Sequence, residues 1–509
     1  MSIERRALSG TVVGVAAFVA SAGQTFLLVP ILLGAWGTER YGTWLALQAL
    51  VTLVATLDLG HQSYVGNELA KLYFGDQSAL RTTLASAIST AAAIGGVEVL
   101  VALGLGASGL LPRALGLSPA VTANERLYPA LVLFTVTWVV SGSIGGVVVR
   151  LLPPAGKFVR GATWGLVGRL VQTIAVAGGA MAGLGILGTS AVNQVAILMF
   201  CGALFWDIRN QFAWLWPMHS RPSASLGARN FGRSLVLTGT STLTQLQQNG
   251  LNLIVTSMLG AAALPALSTA RTVASTFLQA SNILAAPLAP EMVRFHVNRE
   301  YSKLTATFAA NWLIGGLLVQ LGILAALPIL APLYMLWTRH ALLFDRTLFA
   351  LLAFAIILRT LGAPLLTYLG SVNDLRALSA INAAQAGTVL AIAALGVRGL
   401  GLRAAGVAIL GGEVVGSFAM PIAFVLARLP GEWRTRLIRH AALTAAPALV
   451  SGTALLFYAH LAPLLPVIAL SALLLVLLAW AQWRELPKEV HDRILGLLSR
   501  AAKRGRNAL

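Results

Sequence analysis

Residues 238 to 256 read TGTSTLTQLQQNGLNLIVT, and here Thr238, Thr242, Gln245, Gln248, Asn249, Asn252 and Thr256 recur at three- and four-residue spacing among Leu, Val, Ile and Gly. On a helix of about 3.6 residues per turn they share one side. The next apolar segment repeats the pattern with Ser268, Arg271, Thr272, Ser275, Gln279 and Asn282. An unpaired amide or guanidinium facing hydrocarbon costs several kcal/mol. Two successive helices with hydrophilic strips are therefore expected to line a water-accessible cavity at membrane depth, and such a cavity suggests transport.

The rest of the chain supplies the membrane. Of its 509 residues 57% are hydrophobic and 10% charged, and the mean hydropathy is +0.80, which places it among polytopic membrane proteins. Apolar runs long enough to cross a hydrocarbon core of about 30 Å fall near residues 10–33, 42–60, 82–110, 127–149, 162–183, 186–207, 233–258, 266–290, 306–330, 346–369, 379–397, 403–427, 441–461 and 463–483. The expected fold is all-α and integral to the membrane, with about fourteen transmembrane helices. Met1 to Gly10 is short and basic but leads into an uncleaved apolar run, read as the first spanning helix. Assigning alternate loops to opposite sides puts 26 Lys and Arg on the side of both termini and 7 on the other, which predicts cytoplasmic N- and C-termini. The excess of 36 basic over 17 acidic residues lies in loops, where lipid headgroups and topology account for it and no nucleic acid need be invoked. Cys201 is the single cysteine, which rules out an intramolecular disulfide or a cysteine metal site.

A weak internal repeat divides the chain. Arg6 to Gly34 and Arg233 to Gly260 open two halves of almost equal length, and each continues into a helix and an acidic, basic-flanked loop. Both halves begin in the cytoplasm, so the repeat is parallel, a pseudo-two-fold about the membrane normal. The expected organisation is an N-lobe of six helices (1–208), a cytoplasmic linker (209–232), a C-lobe of six (233–428), two extra C-terminal helices (429–484) and a cytoplasmic amphipathic tail (485–509).

Several residues carry candidate chemistry. Arg359 lies thirteen residues into its run, about 20 Å at 1.5 Å per residue, too deep to reach either interface. It either pairs with Glu413 or binds an anion. Arg271 belongs to the second polar strip; Arg169 either snorkels to the cytoplasmic side or joins the same cavity. Guanidinium forks converging on one space would suit a pyrophosphate. Asp58, Glu98 and Glu413 are the candidates for ion coupling. The seven histidines show no metal-ligand spacing, there is no Walker loop, and no catalytic set appears, so no metal, cofactor or enzymatic activity is expected. Energy would then come from a sodium or proton gradient, the membrane potential or the substrate gradient.

With these features in place the chain resembles polysaccharide flippases of the multidrug/oligosaccharidyl-lipid/polysaccharide exporter superfamily, over about residues 5 to 480. The resemblance is carried by Pro30-Ile31-Leu32-Leu33-Gly34, Tyr41-Gly42-Thr43-Trp44, Asp58-Leu59-Gly60, Asn67-Glu68-Leu69-Ala70, Leu336-Trp337-Thr338 and Phe344-Asp345. Arg339-His340 stands where the family more usually has glycine. The resemblance implies two six-helix lobes around a cationic cavity that opens alternately to each side. It also implies a groove for a polyprenyl tail in Ala441 to Trp483. The implied function is translocation of undecaprenyl-pyrophosphate-linked oligosaccharide across the bacterial cytoplasmic (inner) membrane for O-antigen or exopolysaccharide biosynthesis. Membrane lipids, a coupling ion and polysaccharide polymerase or assembly proteins are the implied partners. Arg359, Arg271, Arg169, Gln245, Gln248, Asn249, Asn252, Gln279 and Asn282 are the expected cavity residues. The alternatives are a cation-coupled multidrug exporter of the same superfamily, and a membrane glycan polymerase or ligase, against which the short exported loops speak.

Overall fold

A computed structural model describes residues 3–58, 60–215, 221–285, 289–460 and 464–485, and among them every regular element is helical. The tail from 486 onward lies outside the described residues, as do the side chains of Thr238 and Asn282. The first helix, α1 (Ile3–Ala55), is broken at Gly37, whose φ of 70° is a left-handed conformation that glycine enters without a Cβ penalty. This break separates the first two expected spans. After it come α2 (His61–Leu72) and α3 (Gln77–Ala107), the latter capped by Asp76, whose side chain accepts from the backbone N–H groups of Ser78 and Ala79. Two short helices, α4 (Leu111–Leu115) and α5 (Pro119–Asn124), precede α6 (Leu127–Trp138), which runs through a π-turn at Val139–Ile144 into α7 (Gly145–Val149). The first half closes with α8 (Phe158–Met181) and α9 (Ile186–Gln211).

The polar-striped segments form α10 (Ala224–Leu259) and α11 (Ala263–Ala285), followed by α12 (Ala289–Val297). Next, α13 (Tyr301–Asn311) passes through a second π-turn, Trp312–Gly316, into α14 (Leu317–Trp337). Beyond α15 (Arg346–Ser371) and α16 (Leu375–Leu400), α17 (Leu402–Glu413) crosses a third π-turn, Val414–Ala419, into α18 (Met420–Leu426). The chain then forms α19 (Gly431–Ala459) and α20 (Leu464–Glu485). Within the described residues each of the fourteen apolar runs falls mainly on these helices. Among the described residues nine of the resulting segments, or ten counting one bent pair, are long and apolar enough to cross a membrane, so the protein is a multi-pass membrane protein. The arginine-bearing α8 and the striped α10 and α11 are not among the nine.

Packing divides the chain into two compact units, Met1–Leu267 with Met335–Leu343, and Ser268–Tyr334 with Phe344–Leu509. The first unit includes α10, which packs on α1, α2 and α3. Packing and the sequence repeat therefore divide the chain at different points. Inside this unit Trp36, Trp44 and Phe134 stack in a chain with ring centroids 5.5 and 5.7 Å apart, and the Trp36 indole donates to the Leu184 carbonyl at 2.9 Å. The second unit is organised on α15, whose most apolar stretch is 72% buried, against 17% for α20. Its fully buried Phe349 and Tyr368 join α15 to its neighbours.

Candidate functional site

In the second unit the polar residues gather on one face of α15. Gly362 allows this, because a Cβ there would sit 2.1 Å from the Ser417 carbonyl oxygen; the glycine lets α15 press directly on the third π-turn. The Trp312 indole, from the second π-turn, donates to the Leu361 carbonyl at 2.6 Å and braces the same point. One turn before, Arg359 Nη1 lies 3.6 Å from Glu413 Oε1; the arginine side chain is 47% exposed and the carboxylate 4%. Glu413 accepts from the Ser417 hydroxyl one helical turn on and interacts with the Gln385 amide of α16. Arg271 of α11, half-buried, lies within electrostatic range of Arg359.

Two guanidinium groups thus lie within electrostatic range of each other, one of them, Arg359, paired with a carboxylate. Glu413 is the sole acidic residue in α11, α15, α16 and α17. A like-charged pair at membrane depth is costly to maintain unless anionic charge offsets it. Pairing and anion binding, the two readings of Arg359, are therefore compatible: Glu413 holds one edge of the guanidinium while nearly half of the side chain is exposed. Ser417, four residues after Glu413, and Gln385 are the members of this group that sequence reading passed over. The i, i+4 spacing of Glu413 and Ser417 was a readable signal; Gln385 carried none.

The remaining expected residues distribute as follows. Gln245, Gln248, Asn249 and Asn252 lie half-buried along α10 in the first unit, and Asn249 Nδ2 bonds back to the Gln245 carbonyl at 3.1 Å. Gln279 is exposed on α11 in the second unit. Arg169 belongs to the first unit and lines a cavity of 480 Å³ between α1, α6, α8 and α9, so it does not share a compact unit with Arg271 and Arg359. Asp58 and Glu98 also belong to the first unit and lie within electrostatic range of each other. Glu98 is completely buried, beside Ser143 of the first π-turn, and neither of its oxygens has a hydrogen bond of ordinary geometry. Among the described residues no cluster of His, Cys, Asp and Glu could hold a metal ion.

No protein-family model matches the chain, and no curated protein is significantly similar to it in sequence. Its fold is nevertheless similar to solved structures. The lipid II flippase MurJ, in an inward closed conformation, matches 94% of this chain and 99% of its own with a TM-score of 0.66 and 11% identity. An inward-facing multidrug resistance MATE family transporter of the MOP superfamily covers 84% of this chain and 94% of its own with a TM-score of 0.55 and 14% identity. The eukaryotic MATE transporter AtDTX14 covers 86% and 99% with a TM-score of 0.55 and 12% identity. Identities this low carry the fold and leave the substrate open. The chain therefore has the fold that MurJ and the MATE transporters share.

Proposed function

We propose that the protein is a flippase that moves undecaprenyl-pyrophosphate-linked oligosaccharide across the bacterial cytoplasmic membrane by alternating access. In this reading the six-helix lobes 1–208 and 233–428 alternate about the substrate, both termini are cytoplasmic, and α19 with α20 accommodates the polyprenyl chain. The observation that carries it is the half-exposed Arg359 guanidinium, paired on one edge with Glu413 and within electrostatic range of Arg271, in apolar helices whose sole acidic residue is Glu413. Guanidinium groups remain charged at any physiological pH and bind phosphate oxygens through two parallel hydrogen bonds. A cationic drug would be repelled by the same pair, which disfavours the multidrug alternative.

The test is complementation of a deletion strain. Arg271→Ala and Arg359→Ala are each expected to reduce surface polysaccharide export by at least about tenfold, the loss of one charge-assisted hydrogen bond or more, while membrane insertion is unchanged. Export at the wild-type level by both variants overturns the proposal. Drug hypersensitivity of the deletion strain with unaltered surface glycans would transfer the assignment to the multidrug exporters.

A further inference from the structure

The 480 Å³ cavity of the first unit, within the range of small-molecule pockets, lies wholly among helices of that unit. Three glycines of α8, Gly161, Gly165 and Gly168, follow one another at helical spacing along its wall. A Cβ added at Gly165 would meet nothing within 4 Å. Aromatic rings form much of the remaining wall: Trp138 comes from α6, Trp164 from α8 and Phe200 from α9, the last two in edge contact at 5.6 Å. Between them three neutral amides arrive from three helices, Gln48 on α1, Gln172 on α8 and Gln194 on α9. Two donors in this wall have no acceptor. Gln194 is 2% exposed with its Nε2 unpartnered, and the Trp138 indole N–H is buried without a partner. The Trp164 indole, by contrast, is satisfied by Asp207 at 2.8 Å.

We infer that this cavity is a carbohydrate subsite that receives a sugar ring. The inference rests on the reading of the substrate as a glycan and names where part of it would bind. A hydroxyl both donates and accepts, so a polyhydroxylated ring matches the mixed donor and acceptor atoms of the Gln48, Gln172 and Gln194 amides. The apolar C–H face of the same ring packs on indole and phenyl surfaces. A hydrocarbon chain would cover these amides without offering them a partner, which is costly. A bare phosphate would call for several cationic groups, and Arg169 is the single cation in the lining.

The experiment uses the full-length protein in lipid nanodiscs, with saturation-transfer NMR against glucose, galactose, N-acetylglucosamine and glucuronic acid as probes, and decyl phosphate and inorganic phosphate as comparators. At least one saccharide is expected to give a signal. That signal should fall by about fivefold or more in Gln194→Leu, as expected for one lost hydrogen bond, and in Gly165→Leu, whose side chain enters open space and fills the cavity. Gly165→Leu also replaces a helix-interior glycine by a better helix former, so folding should be retained. No saccharide signal, a signal unchanged in both variants, or a Gly165→Leu effect confined to decyl phosphate overturns the inference. The two proposals fail separately. Normal export by the Arg271 and Arg359 variants with saccharide binding intact removes the flippase and leaves the subsite, and the reverse pattern removes the subsite alone.

Discussion

Arg359 and Glu413 are held by opposing demands. The carboxylate neutralises a guanidinium at membrane depth, yet it also competes with any anion for that guanidinium. A negative charge about 7 Å from a bound anion costs about 2 kcal/mol at an effective dielectric of about 20. Glu413→Gln, which keeps an acceptor for Ser417, is accordingly expected to tighten inorganic pyrophosphate binding by roughly thirtyfold, at about 1.4 kcal/mol per factor of ten. Weaker or unchanged binding, measured by calorimetry on the nanodisc protein, would mean that Arg359 does not contact the anion. A second residue-scale test concerns Arg339 and His340, which have φ of 53° and 60°. Their place in the sequence, where the resembling family more usually has glycine, is explained by this left-handed backbone, which costs a residue with a Cβ roughly 1–2 kcal/mol. Glycine's larger unfolded-state entropy returns about 0.5–1 kcal/mol of that. His340→Gly should then raise the melting temperature slightly, and a fall would show that the imidazole makes a compensating contact.

Helices were the most legible level. Their positions follow from hydrocarbon thickness, which demands about twenty apolar residues per crossing, and the fourteen runs land mainly on helices accordingly. One of the motifs that carry the family resemblance, Phe344-Asp345, proves to be a structural joint. Asp345 caps α15 through the N–H groups of Thr347 and Leu348 and pairs with Arg403 at 3.1 Å, while Phe344 packs between Tyr334 and Phe349. The three π-turns were invisible, because a one-residue insertion leaves hydropathy unchanged; two of them place Ser143 and Ser417 beside the buried Glu98 and Glu413. Side-chain pairing between helices was equally hidden. Ser451 of α19 donates to Gln320 of α14 at 2.8 Å, and Gln482 of α20 donates to Thr444 of α19 at 2.7 Å, all four side chains being buried. Ser451→Ala would strand the Gln320 carbonyl and should destabilise the protein by about 1–3 kcal/mol. An unchanged thermal unfolding profile would indicate that α19 is held by apolar packing alone.

At the scale of the whole molecule, the polar stripes led to the expectation of a hydrated cavity within a membrane protein, and periodicity could not say which stripe residues share a unit. Arg169 illustrates the difficulty, since its depth in α8 resembles that of Arg271 in α11 while packing sends the two to different units. Energy coupling poses the same problem for the acidic residues. Glu98 is the lone acidic residue of α3, is fully buried, and lies within electrostatic range of Asp58, which itself lies near His61, Gln62 and Arg150. Two buried carboxylates within electrostatic range repel unless one of them takes up a proton or a monovalent cation binds near them. A site of this kind can couple transport to a gradient only if its occupancy differs between the two access states. Glu98→Gln keeps the shape and removes the exchangeable charge. In proteoliposomes with a lipid-linked oligosaccharide, the wild type is expected to flip faster under an imposed proton or sodium gradient, and the variant to flip at a rate independent of either. A Glu98→Gln protein that still accelerates under the gradient would place the coupling group elsewhere, with Glu413 next in line, because it too is a buried carboxylate beside a π-turn serine but is already partnered by Arg359.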